Sequence, residues 1–188
     1  MKKKILFFAF LLCVSFSLKA QFKLGPSIGL QLPLFRFSSY ATAGFSFGGT
    51  AKYMLNDKMA VGGNIFYSSF SENRWESYYG IYKYSVIPIT GMFQYYFADN
   101  DIRFYCGGDF GLYILQREWR YYGNPLYGSN PYSDSSTELG MAATFGMEYK
   151  INDKIILDGN TKLHFMLTED DFIYIGLLNF GILFNLSK

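Results

Sequence analysis

The chain has 188 residues, one domain's length, with 21% aromatic residues (20 Phe and 17 Tyr), 19 Gly and only 17% charged residues. Its formal charge is +2, but four of the 17 Lys and Arg lie within residues 1–20, which leaves 13 cations against 15 carboxylates elsewhere. A near-neutral, slightly acidic body excludes nucleic acid as a partner. Few charges with many aromatics and glycines suit strands that meet lipid rather than an ordinary soluble domain.

Residues 1–4 read MKKK, residues 5–18 are an uncharged apolar run, and SLKAQ follows with Ala20 before Gln21. That order is a secretory signal peptide, so residues 1–20 are expected to be cleaved and 21–188 to form the folded domain. The run is short for a membrane helix. Cys13 follows Leu12 and lacks the small residue a lipid-attachment site needs, and the remaining Cys106 has no partner for an intrachain disulfide.

From residue 22 onward, period two dominates. Ala43, Phe45, Phe47, Gly49, Ala51, Tyr53 and Leu55 alternate with Gly44, Ser46, Gly48, Thr50, Lys52 and Met54. The same two-faced pattern recurs at 102–117, 139–150 and 155–167, and with more noise at 22–32, 59–70, 81–97 and 172–186. That makes eight strands and no helical stripe. The breaks alternate in kind. LNDK (55–58), ADND (98–101) and INDK (151–154) are short turns, whereas 33–40, 71–80, 118–137 and 168–171 are the other connections, three of them longer. YMLNDKMAVGGN (53–64) and YKINDKIILDGN (149–160) share six of twelve positions, as two hairpins closed at the same end would.

One strand face is apolar. The other carries Lys52, Arg103, Asp109, Arg117, Glu138, Glu148, Lys150, Asp158, Lys162 and His164. Nine charges cannot be buried in an apolar core, but a polar lumen can pair them while the Phe- and Leu-rich face meets lipid. Closure satisfies every strand edge, as a bilayer demands. The expected fold is therefore all-β: an eight-stranded antiparallel up-and-down transmembrane β-barrel. Its interior has room only for side chains, so inward glycines such as Gly44, Gly107, Gly140 and Gly146 make space for a plugging polar network.

Three motifs carry a resemblance. VIPITGMFQYYF (86–97) and the glycine-rich IRFYCGGDFGLYI (102–114) resemble consecutive strands of the small outer-membrane β-barrel proteins of Bacteroidetes-type bacteria, relatives of OmpA/OmpX-like barrels. NFGILFNL (179–186) resembles the family's assembly signal through Asn179, Gly181, Phe184 and Leu186, although Ser187 and Lys188 follow it. The resemblance implies an outer-membrane location, insertion by the barrel-assembly machinery, contact with outer-membrane lipid and lipopolysaccharide, and no shared activity.

The side chains offer little chemistry. His164 is the only histidine, followed by Phe165 and Met166, without the His-x-Ser spacing of lipid-trimming barrels. One His and one Cys cannot build a Cys/His metal site, and TEDD (168–171) matches no calcium loop. No catalytic, cofactor or metal residue is assigned, and no enzyme activity is expected. Two loops are richer. Arg74, Trp75, Tyr78 and Tyr79 in one, and Trp119, Arg120, Tyr121, Tyr122 and Tyr127 in the other, are residue types that dominate binding hot spots and also build aromatic girdles. The expectation is a monomeric barrel with a structural or surface-interaction role through loops 71–80 and 118–137. Three alternatives stay open: an accessory factor of an outer-membrane assembly or secretion system, a lipid-modifying barrel enzyme, and a soluble lipocalin-like carrier with reversed polarity. A membrane helix over 172–186 is a further, weaker alternative.

Overall fold

A computed structural model describes residues 22–72, 80–97, 100–121, 132–168 and 173–186. The expected signal peptide, 1–20, lies outside them. Eight strands follow one another: β1 (Phe22–Leu34), β2 (Ala41–Asn56), β3 (Met59–Glu72), β4 (Gly80–Tyr96), β5 (Ile102–Tyr121), β6 (Tyr132–Lys150), β7 (Ile155–Met166) and β8 (Ile173–Asn185). Each pairs antiparallel with its neighbours, and β1 pairs with β8, so the sheet closes into a barrel. Within the segment 172–186, Ile173–Asn185 are thus a strand and not a helix. No helix among the described residues is long and apolar enough to cross a membrane; here strands make the crossing.

Alternation decides which face goes where. Along β2, Ser46, Thr50, Lys52 and Met54 are buried, whereas Phe45 and Phe47 are more than half exposed. Ile28, Phe110, Phe145 and Phe180 are likewise exposed on the outer wall, and Asp109, Glu148, Asp158 and Lys162 are buried inside. This polarity is the reverse of a lipocalin-like carrier, so the soluble reading falls. The noise in 172–186 has a local cause. Gln31 pairs with Gly176 while Leu30 pairs with Leu178, so β8 bulges at Leu177. Leu177 and Leu178 both face outward, and alternation resumes one residue out of phase with Asn179 and Gly181 inside.

Residues 98–99 of ADND lie outside the described residues; the other two short turns, LNDK and INDK, sit where expected and share one device. The Asn56 side chain accepts from the Lys58 amide at 2.9 Å, and Asn152 accepts from the Lys154 and Ile155 amides, both at 2.9 Å. These Asn side chains take the place of backbone acceptors in the two look-alike hairpins. At the other end the boundaries shift. The expected loop 33–40 is mostly structured: β1 runs to Leu34, and Phe37–Tyr40 form one helical turn, α1. Phe35 enters it with φ 51°, and its carbonyl accepts from both the Ser38 amide (3.1 Å) and hydroxyl (2.6 Å). The expected loop 118–137 is shorter, because β5 and β6 pair from Trp119↔Tyr132 downward.

Strand lengths are unequal. β7, β8 and β1 have 12 or 13 residues, while β4, β5 and β6 have 17, 20 and 19. At ~3.4 Å per residue and a tilt of about 40°, twelve residues rise about 30 Å and twenty about 50 Å. The short strands just span an apolar band of about 25 Å. The β4–β5–β6 sheet projects beyond it on the loop side.

Candidate functional site

The lumen is built in three storeys. The lowest lies next to the short turns and centres on Glu148 of β6. Its Oε2 accepts from Lys23 Nζ at 2.7 Å and Arg103 Nη2 at 3.0 Å; its Oε1 accepts from the Tyr96 hydroxyl at 2.7 Å and Lys52 Nζ at 3.0 Å. Lys52 also reaches Asp158 at 3.2 Å, and Tyr105 donates to the same Asp158 oxygen at 2.7 Å. Arg103 lies over the Tyr96 ring at 4.5 Å, and Lys52 over the Tyr105 ring at 4.6 Å. Lys23, Lys52, Glu148 and Asp158 are all essentially inaccessible to water. Charges so deeply buried persist only because each is matched and hydrogen-bonded.

In the middle storey, Lys162 of β7 donates to Asp109 of β5 at 2.6 Å, and Asn64 Nδ2 donates to the same Asp109 oxygen at 3.0 Å. Thr50 donates to Asn64 Oδ1 at 2.7 Å. Asn160 bonds Asp158 at 3.0 Å and receives the Asn179 amide at 3.1 Å; Gln31 bridges Ser46 at 2.7 Å and Asn179 at 3.2 Å. A cavity of about 10 Å³ beside Gln31, Lys162, His164 and Asn179 has room for about one water.

The upper storey differs from the all-polar network that the sequence suggested. Phe37, Phe70, Tyr84, Val86, Tyr113, Leu115, Met166 and Tyr174 form an apolar cluster there. Phe37 drops into it from α1, edge-on to Phe70 at 5.0 Å and Tyr84 at 5.7 Å. His164 sits at the boundary, stacked on Tyr174 at 4.4 Å, with Nδ1 3.1 Å from the Tyr113 hydroxyl. The physical reason is inward alternation in β3, β4 and β8, where Phe70, Tyr84, Val86 and Tyr174 take lumen positions near the loop side.

Of the ten expected lumen residues, Lys52, Arg103, Asp109, Glu148, Asp158, Lys162 and His164 converge inside the barrel. Arg117 and Glu138 are partly exposed near the loop side of β5 and β6. Lys150 stands apart: it is exposed at the β6–β7 turn and pairs with Asp153 at 2.7 Å, because the strand ends there and its side chain reaches water. That hydrogen bond holds the Asp153 carboxyl below its ordinary range. Asn179 and Gly181 face the lumen, whereas Phe184 and Leu186 face outward. Cys106 is half-buried on the outer face. Arg74, Trp75, Tyr78, Tyr79, Tyr122 and Tyr127 lie outside the described residues, as do residues 169–171 of TEDD. For Trp119, Arg120 and Tyr121 only the backbone is described, paired within β5 to Tyr82, Ile81 and Gly80 of β4.

Sequence reasoning put Tyr105 and Asn160 on the polar strand face but passed over Lys23, Gln31, Asn64 and Tyr96. Lys23, Gly25, Ser27, Gly29 and Gln31 alternate strictly, which was signal enough for two of them. Among the described residues no group of three His, Cys, Asp or Glu side chains is placed to hold a metal ion.

A closed barrel with charges inside and aromatics outside defines an integral outer-membrane protein. The family model for the outer membrane protein beta-barrel domain matches residues 5–179. The chain therefore belongs to that family, and its place is the outer membrane, among its lipids and lipopolysaccharide. Solved structures share the fold at low identity. Neisserial surface protein A is 16% identical with a TM-score of 0.57, over 90% of this chain and 98% of that one. A major outer membrane protein from Thermus thermophilus is 9% identical with a TM-score of 0.61, over 89% and 99%. The attachment invasion locus protein Ail of Yersinia pestis is 13% identical with a TM-score of 0.52, over 89% and 97%. No curated protein sequence matches the chain.

Proposed function

We propose that this chain is a monomeric, non-enzymatic outer-membrane barrel that works at the cell surface through loops 71–80 and 118–137, with a lumen that is a plug. The supporting observation is the unequal wall. β4, β5 and β6 outrun β7, β8 and β1 by several residues, and they carry the Trp-, Tyr- and Arg-rich connections out past the membrane. Extra strand length gives nothing to membrane crossing, so its use on this reading is to set the strand ends from which those connections start out in the surrounding medium. Side chains filling the lumen from Lys23 up to Phe37 support the plug. The enzyme alternative loses support because His164 is buried between Tyr113 and Tyr174, away from the lipid-facing wall. On this reading residues 1–20 direct export, and Asn179, Gly181, Phe184 and Leu186 form the signal read by the assembly machinery.

The test replaces 122–131 with an Asn-Gly turn. Boiled and unboiled samples are compared on detergent gels, and vesicles bearing either protein are applied to immobilised glycans and lipopolysaccharide. The expected result is an unchanged heat-dependent mobility shift with lost binding. Loss of the shift would make the loop a structural part of the barrel, and unchanged binding would remove it from the function.

A further inference from the structure

We infer that the outer wall holds a discrete site for one acyl chain of a membrane phospholipid, seated over Gly159. Around the barrel, one outward row runs Phe104, Met147, Gly159, Phe180, Ile28 and Phe47, each paired to the next in register. Every member is a large apolar residue except Gly159. A Cβ built there would meet nothing within 4 Å, so the gap is open rather than filled by neighbours. It is the low point of a groove of about 480 Å³ flanked by Met147, Tyr149, Leu157, Phe180 and Ile182, with Pro26 and Ile28 beyond. A volume of that order holds a small ligand.

The occupant follows from position. The groove lies in the wall that faces lipid, so its natural filling is hydrocarbon. Gly159 is four residues into β7 from the β6–β7 turn, about 10 Å up from that end at the usual rise and tilt. That depth belongs to the leaflet next to the short turns, where the lipids are phospholipids. At the groove's lower end, Tyr149 adjoins Lys150, and Leu157 lies three residues from Lys154; both lysines are exposed at the turn. Lys150 is engaged by Asp153. Lys154, exposed at the turn three residues before Leu157, supplies a positive charge for a phosphate while the chain above it lies against the Gly159 backbone. Such a lipid is held at both ends, by a fitted gap and by charge, which bulk lipid on a smooth wall is not.

The experiment is native mass spectrometry of the protein extracted from outer membranes in mild detergent, compared with Gly159→Leu and Lys154→Gln. The wild type is expected to carry one phospholipid. Gly159→Leu fills the gap, and losing the contact of about two methylenes corresponds to roughly tenfold lower occupancy. Lys154→Gln should lower occupancy less and make it less selective for anionic headgroups. Heat-dependent mobility controls for folding; Gly159→Ala serves if the leucine variant does not fold. A wild type that carries only detergent, or a leucine variant that keeps its phospholipid, overturns the site. So does a photo-crosslinker at Leu157 that traps a second copy of the chain instead of lipid.

Discussion

Glu148 is the residue on which the lower lumen depends, and its neutralisation should be the most damaging isosteric change in the barrel. Among the described residues it is the only ion-pair partner of buried Lys23, whereas Lys52 keeps Asp158 and Arg103 is partly exposed. Glu148→Gln leaves one fully buried ammonium with no countercharge and weakens four charge-assisted hydrogen bonds at once. Removing one partner of a buried pair costs about 3–5 kcal/mol. Lys23→Met is the contrast. Glu148 then still holds Lys52 and Arg103, so the loss should be about 1 kcal/mol, near that of one hydrogen bond. The double variant has no orphaned ammonium at Lys23, and should be more stable than Glu148→Gln alone, a coupling of about 2 kcal/mol in the double-mutant cycle. The assay is urea unfolding of the barrel in phospholipid vesicles, read by tryptophan fluorescence and by loss of heat-dependent mobility. Equal costs for the two single variants would refute the hub, as would a double variant that is no better than Glu148→Gln.

The remaining predictions use the same unfolding assay. Asn152→Ala removes two turn hydrogen bonds and Asn56→Ala one, so the first should cost more, with each bond worth about 1 kcal/mol. Gly140→Leu drives a side chain into the Tyr113 ring, which a bare Cβ would already approach to 2.6 Å; it should cost at least about 3 kcal/mol, whereas Gly159→Leu on the open outer wall should be near neutral. Phe37→Ala empties the upper apolar cluster and should cost about 3 kcal/mol while leaving the ion network intact. Planar-bilayer recording should show no large conductance for the unaltered barrel or for Phe37→Ala, since the lower storeys still fill the lumen.

Strand positions and the two faces were legible because alternation is a local property. Lys52, Asp109 and Asp158 could be assigned inward from the alternation of their immediate neighbours. What failed was non-local or phase-dependent. The bulge at Leu177 shifts the phase of β8, so Gly176 and Asn179 both face the lumen, and no residue near it announces the extra position. The apolar upper storey was hidden because Phe70, Tyr84 and Tyr174 stand in strands whose alternation is noisy, which left their phase unassigned. Lys150 had the right phase but stood at the end of its strand, where facing inward no longer means being enclosed.

The two look-alike hairpins show where sequence reasoning stops. Positions 52 and 148, 62 and 158, and 64 and 160 are each 96 residues apart, the offset between the two look-alike stretches. In a closed eight-stranded barrel, β2–β3 and β6–β7 stand on opposite walls, so equivalent inward residues face each other across the lumen. Lys52 and Glu148 do so at 3.0 Å, with opposite charges at matching places. Position 62 is a glycine, whereas its counterpart Asp158 brings a second carboxylate to Lys52 at 3.2 Å. Asn64 and Asn160 each bond a lumen aspartate, Asp109 and Asp158. The two hairpins share Asn-Asp-Lys at their turns, where each must satisfy its own backbone. They differ at 52 and 148, where two identical charges meeting across the lumen would repel, and agree at 64 and 160, where the side chain is a neutral amide.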